Sequence, residues 1–125
     1  MNLLLDTHVL LWWLSDHPNL SQRAKTVITN GQNLVFVSAA VIWKIQIKHV
    51  LGKIKIPSNF RKVLEQQEFE LLDITVEHAY AVADLPLHHR DPFDRMLVAQ
   101  AKLEGMTIVT RDNHIKKYKI PLISA

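Results

Sequence analysis

The sequence predicts a three-layer α/β/α domain, with helices on both faces of a central parallel sheet of four to five strands. Three observations carry that expectation. Short apolar runs of strand length alternate with longer helix-like segments along the chain, the pattern of successive strand–helix–strand units. The first run, "NLLL", is apolar without alternation, as suits a strand covered on both faces. Serine or aspartate precedes several of the longer segments and glycine follows them, the punctuation of helix starts and stops.

Strand one is residues 2–5. "THVLLWWLSDHP" is helix-like and closes at Pro18, and a second helix follows from Ser21, an N-cap serine, with a glycine at its end. "LVFVS" is the next strand, rich in β-branched and aromatic residues. Ser38 caps the long apolar helix "AAVIWKIQIKHVLG", which Gly52 ends. Pro57 opens a further helix, "SNFRKVLEQQ". "ELLDI" is a third strand and "VEHAYAVADL" another helix. After the loop "PLHHR", a helix runs from Asp91 to Gly105, then "TIVT" gives a fourth strand and "PLIS" a short fifth. No repeat, linker or low-complexity stretch interrupts the chain, so residues 1–125 are expected to form a single domain.

Composition narrows the function. With 48% hydrophobic and 22% charged residues, the chain is neither disordered nor membrane-like. Its N-terminal apolar run is short, is broken by Asp6 and His8, and has no basic leader, so neither a signal peptide nor a membrane span is expected. There is no cysteine; disulfides and Cys-zinc sites are excluded, and a reducing cytoplasmic setting is natural. A net charge of +3 is compatible with a polyanionic partner or with an ordinary solvated surface. The three glycines form neither a dinucleotide fingerprint nor a phosphate-binding loop, and no G-x-S-x-G elbow is present.

What remains is the placement of the acids. Ligands of open parallel sheets bind beyond the carboxyl ends of the strands, near the switch in strand order. Asp6 ends strand one, Asp112 follows strand four, and Asp94 lies in the first turn of the helix feeding strand four. If strands one and four are neighbours, the three converge on one rim. Such a cluster repels itself unless a cation is shared, and hard oxygen donors select Mg²⁺ or Mn²⁺. The chemistry supported is in-line phosphoryl displacement. Each acid also has a structural reading. Asp91 before Pro92 suits an N-cap, Asp94 suits the positive end of a helix, and Asp112 suits the turn "RDNH". His88 and His89 either touch substrate or are solvated. Trp12, Trp13 and Trp43 fit helix core positions better than base-stacking platforms. Lys48, Lys53, Lys55, Arg90, Arg95 and Arg111 are candidates for phosphate contact.

Together "LLLDTHVLLWWL", "SAAVIWKIQIKHVLGKI", "LPLHHRDPFDRMLVAQA" and "TIVTRD" resemble the PIN-domain ribonucleases, specifically the VapC-like toxins of bacterial toxin–antitoxin pairs. The resemblance covers nearly the whole chain. It implies a Mg²⁺- or Mn²⁺-dependent endoribonuclease acting on RNA in the cytoplasm. It also implies a homodimer restrained by a cognate antitoxin whose tail blocks the acidic pocket. It makes Asp6, Asp94 and Asp112 the catalytic and metal-binding acids, with Asp91 as an accessory and Ser38 and Thr110 flanking the pocket. One position departs from it: where the family carries W-E-I, this chain reads Trp43-Lys44-Ile45, and no acid occurs between Asp16 and Glu65 to replace the missing one.

Lys44 either snorkels to water or turns into the carboxylates. There it would pair with Asp6, Asp94 or Asp112, relieving repulsion and weakening cation binding. Two functions therefore compete: a metal-dependent endoribonuclease impaired by Lys44, and an inactive PIN scaffold that still binds antitoxin and RNA. A phosphotransferase with Asp6 as nucleophile is a third, weakened by His8 standing where a second acid would be wanted.

Overall fold

The computed structural model describes residues 1–125. Strands β1 (Asn2–Leu5), β2 (Leu34–Ser38), β3 (Glu70–Leu72), β4 (Thr107–Thr110) and β5 (Leu122–Ser124) form one sheet in the order β3-β2-β1-β4-β5. Every pairing is parallel. Helices α1 (Thr7–Leu14), α2 (Gln22–Thr29), α3 (Ala39–Val50), α4 (Phe60–Glu65), α5 (Val76–Val82) and α6 (Pro92–Glu104) link the strands, and a 3-10 turn spans Ile115–Lys117. The three-layer α/β/α architecture with a five-stranded parallel sheet is therefore the one the sequence predicts. No helix is long and apolar enough to cross a membrane.

The order places β1 at the centre, with the chain leaving it first toward β2 and β3 and later returning to its other side at β4. That makes the β1/β4 boundary the switch in strand order, where a crevice opens at the strands' carboxyl ends. Leu5 pairs with Val109, so the next residues along, Asp6 and Thr110, meet at that crevice. Leu3, Leu4 and Leu5 are fully buried, which explains the unbroken apolar run: both faces of β1 are covered. Burying each such side chain contributes roughly 1.5–3 kcal/mol.

Helix starts follow the sequence reading closely, because the caps are local. Asp6 accepts the Val9 N–H at 2.9 Å, Ser21 the Ala24 N–H at 3.1 Å and Ser38 the Ala40 N–H at 3.0 Å. Thr75 and His78 form a reciprocal capping box at α5.

Helix ends depart more. The first helix stops at Leu14 and does not run to Pro18. Asp16 takes a left-handed conformation (φ 49°), and the His17 N–H reaches back to the Trp12 carbonyl at 2.8 Å. That closes the helix before the proline is reached. Pro57 likewise precedes its helix by a turn, since the Phe60 N–H bonds to the Pro57 carbonyl at 3.0 Å and α4 begins at Phe60. Gly105 (φ 66°) ends α6 as expected, in a conformation that favours glycine.

Candidate active site

Asp91 does what its neighbour Pro92 suggests. Its Oδ1 accepts the backbone N–H groups of Phe93 (2.8 Å) and Asp94 (3.0 Å), capping α6. Proline at the first helical position has no N–H to leave unsatisfied. One turn in, Asp94 is buried and faces away from solvent.

At the end of β1, both carboxylate oxygens of Asp6 are engaged. Oδ1 caps α1, and Oδ2 accepts the hydroxyl of Thr110 in a short hydrogen bond. An acid ending an apolar strand thus has a structural task that its sequence position alone did not reveal. The Thr110 hydroxyl also accepts the Asp112 N–H at 3.0 Å, so one small side chain at the end of β4 joins two of the three acids. Asp112 Oδ1 accepts the N–H groups of His114 (2.7 Å) and Ile115 (3.0 Å), starting the 3-10 turn. Its Oδ2 faces the pocket.

Lys44 is turned inward. Its Nζ lies 2.9 Å from Asp91 Oδ2 and 3.4 Å from both oxygens of Asp94. The closest partner is therefore Asp91, which the sequence reading did not name for this lysine. α3 packs on α6, so a residue on that flank of α3 meets the first turn of α6.

His89, expected in a free loop, is half-buried instead. Its Nε2 stands 2.9 Å from Asp94 Oδ2 and 3.5 Å from Asp112 Oδ2, yet no hydrogen bond to either is well aligned and the atom is buried without a partner. Its Nδ1 accepts the Asp91 N–H at 3.2 Å, so the ring hydrogen sits on Nε2, between the two carboxylates. A local signal was present: two residues before a helix N-cap, a side chain can fold back over the helix start.

The electrostatics divide the acids into two pairs. Burial raises the pKa of Asp6, and the nearby charge of Asp94 adds to this against the hydrogen bonds from Thr110 and Val9. Burial also raises that of Asp94, helped by Asp91 and Asp112 and opposed by Lys44 and His89. Asp91 and Asp112 go the other way. Burial works against their ionisation, but Lys44 and the cap N–H groups outweigh it at Asp91, and the N–H groups of Ile115 and His114 do so at Asp112. For Lys44, burial disfavours the ammonium, while its hydrogen bond to Asp91 and the charges of Asp94 and Asp91 prevail and raise its pKa.

One ligand atom each from His89, Asp94 and Asp112 falls within a 4.8 Å span. The carboxylate oxygens of Asp94 and Asp112 fit a hard divalent cation, whereas His89 Nε2, carrying the ring hydrogen, faces them as a donor. Asp6 lies outside that tight group and is linked to it by the charge of Asp94 and by Thr110. Ser38 is fully buried, and its hydroxyl donates to Gln100 Oε1 at 2.6 Å instead of to an acid.

Two of the basic candidates are committed elsewhere. Arg95 binds the carbonyls of Val82 and Pro86 and the hydroxyl of Tyr118. Arg111 binds the carbonyls of Asn19 and Ala125 and lies over Trp12. Lys48, Lys53, Lys55 and Arg90 make no ion pair or side-chain hydrogen bond. Trp12 and Trp13 pack against the core, but Trp43 is 58% exposed. α3 is apolar on two faces: Val41 and Ile45 point to the core, and Trp43, Ile47 and Val50 point outward.

The model of the PIN domain matches residues 3–121. Ribonuclease VapC22 of Mycobacterium tuberculosis (strain ATCC 25618 / H37Rv) is 26% identical over 122 residues, covering 94% of this chain and 92% of that protein. A chain of VapBC2 from Rickettsia felis, solved bound to a promoter DNA fragment, superposes with a TM-score of 0.75 at 18% identity over 100% of this chain and 99% of that one. DNA-bound VapBC from Salmonella typhimurium gives 0.74 at 16% identity, over 99% and 98%.

Proposed function

This chain belongs to the PIN domain family, and we propose that it is a VapC-like endoribonuclease toxin, restrained by a cognate antitoxin, whose cleavage is attenuated by Lys44. The observation that carries the reading is the convergence of Asp94, Asp112 and His89 at the mouth of the β1/β4 crevice, with Asp6 near enough for its charge and that of Asp94 to act on each other. Asp94 and Asp112 would hold Mg²⁺ or Mn²⁺, with Asp6 supporting them. When bound, such a cation supplies Lewis acidity for hydrolysis of a phosphodiester.

The chain's own residues set how readily that happens. Thr110 fixes the rotamer of Asp6 and the backbone of Asp112. His89 stands between Asp94 and Asp112 and moderates their repulsion. Lys44 lies on the Asp91–Asp94 side, supplying the positive charge that a cation would otherwise bring. Its ammonium and a divalent ion compete for the same carboxylate. The 2.9 Å Lys44–Asp91 pair also favours a second reading, a scaffold that binds antitoxin and RNA without cutting.

Two apolar surfaces support the partners. A concave groove of about 540 Å³ is lined by Ile42, Phe60, Leu64, Phe69 and Leu71 and suits an apolar segment of an antitoxin. The convex ridge of α3, with Trp43, Ile47 and Val50 exposed, suits a second copy across a two-fold axis.

Replacing Lys44→Glu tests the reading directly. With Mg²⁺ or Mn²⁺ present, K44E is expected to cleave single-stranded RNA at least tenfold faster than the wild type, and calorimetric titration with Mn²⁺ should show tighter binding. Equal cleavage by both proteins would remove the attenuating role of Lys44. No cleavage by either, with no Mn²⁺ site, would leave the scaffold.

A further inference from the structure

Beside the acids lies a cleft of a different character. It holds about 340 Å³ and is lined by Leu87, His88, His89, Arg90, Asp91 and His114. His89 belongs both to this cleft and to the carboxylate group, so the two are continuous. The loop forming its wall is held at three points: the His89 N–H donates to the Tyr118 hydroxyl (3.1 Å), Arg95 donates to the Pro86 carbonyl (3.0 Å), and His114 Nδ1 meets the His88 carbonyl at 3.3 Å. Its side chains are therefore presented on an anchored frame.

The hydrogen-bond chemistry of two of these side chains is specific. A carbonyl only accepts, so a His114 hydrogen resides on Nδ1; with a single ring hydrogen, Nε2 is an acceptor on a side chain that lines the cleft. The ring packs against His89 at 4.9 Å, which fixes its direction. Arg90 is exposed and makes no ion pair, leaving a guanidinium free for an anion. Acceptor and cation side by side match one ligand in particular, a ribonucleotide unit with its 2′-hydroxyl as donor and its phosphate as anion.

We propose that this cleft seats the nucleotide adjoining the scissile bond, with Arg90 on its phosphate and His114 Nε2 on its 2′-hydroxyl, making His114 a determinant of RNA over DNA. The assignment rests on the ribonuclease reading and adds to it where the substrate strand runs and what tells the two sugars apart.

The test is binding of a short single-stranded oligoribonucleotide and its deoxy counterpart, by fluorescence anisotropy with chelator present to prevent turnover. Arg90→Ala is expected to weaken both oligonucleotides alike and to reduce the slope of log affinity against log salt by about 0.7, the value for one single-strand phosphate contact. His114→Phe keeps the ring against His89 and removes both the Nε2 acceptor and the Nδ1 anchor on the His88 carbonyl, the second loss acting on RNA and DNA alike. It is expected to weaken RNA about fivefold more than DNA, one neutral hydrogen bond. If His114→Phe weakens RNA and DNA equally, the 2′-hydroxyl assignment is overturned. Wild-type affinity in both variants overturns the seat while leaving the nuclease reading intact. A wild type that binds neither strand takes the ribonuclease reading down, and this inference with it.

Discussion

The ammonium of Lys44 relieves repulsion between Asp91 and Asp94, and so acts on stability as well as on cation binding. Its raised pKa means that its contribution is fully present at neutral pH and is lost only on alkaline titration. Asp91 and Asp112, held below the ordinary aspartate value, contribute stability above that value and lose it as pH falls through their depressed ones. Asp94 has the opposite sign: its raised value makes the ionised form a cost at neutral pH, removed by acid. Lys44→Met should therefore destabilise the protein by about 1–3 kcal/mol near neutrality, with partial exposure of the pair keeping it below a fully buried one. Denaturant unfolding should show that penalty shrinking as pH falls through Asp94's value and then Asp91's. A penalty that stays constant into acid would assign the cost to packing of the lysine stem. Asp94 and the Asp91 cap were readable because capping is a local rule. His89 was readable only in part: its contact with the Asp91 N–H is local, but its approach to Asp112, more than 20 residues away, is not written in the loop's composition.

Among the elements, α6 does most of the positioning. Its first turn carries Asp91 and Asp94, its left-handed glycine fixes where β4 begins, and its middle carries Gln100, fully buried. Gln100 accepts from Ser38 at 2.6 Å and donates to the Asp73 carbonyl at 3.3 Å, tying α6 to the ends of β2 and β3. Its Nε2 also lies 3.4 Å from His78 Nδ1 on α5. This polar bolt sets the rotation of α6, and hence where Asp94 points. Gln100→Leu is nearly isosteric but leaves the buried Ser38 hydroxyl without its acceptor, at an expected cost of about 1–3 kcal/mol by denaturant unfolding. A change below about 0.5 kcal/mol would show that apolar packing, not the bolt, seats the helix. The sequence identified α6 from its cap, period and terminal glycine. It did not identify the bolt, because a glutamine in an apolar stretch reads as a surface residue until its partners are known. Helix ends were read less well than starts: the α1 stop depends on a left-handed Asp16, a conformation that aspartate adopts only in context.

At the scale of the molecule, strand order decides everything about the pocket. Had β1 not paired with β4, Asp6 and Asp112 would stand on different edges; because they pair, residues more than 100 positions apart share one threonine. The alternation of strands and helices made this layout readable in outline. What it left unread is the outer surface, since an apolar residue on a buried helix gives no sign of which of two faces it occupies. Trp43 is the example: at 58% exposure it belongs to a ridge with Val50 at 81% and Leu51 at 62%. Large side chains left in water along one helix carry a hydrophobic cost that a second copy would remove, and a two-fold interface needs only one such patch to cover itself. Wild-type protein is therefore expected to sediment as a dimer at micromolar concentration. Val50→Glu places an unpaired carboxylate in that contact and should weaken self-association at least tenfold. Its exposure means the fold itself should be disturbed by no more than about 0.5 kcal/mol. Sedimentation equilibrium of both proteins separates the possibilities. A wild type that stays monomeric throughout removes the second copy from the ridge, and a dimer indifferent to Val50→Glu moves the contact to another face, with the α4–β3 groove the next apolar surface to substitute.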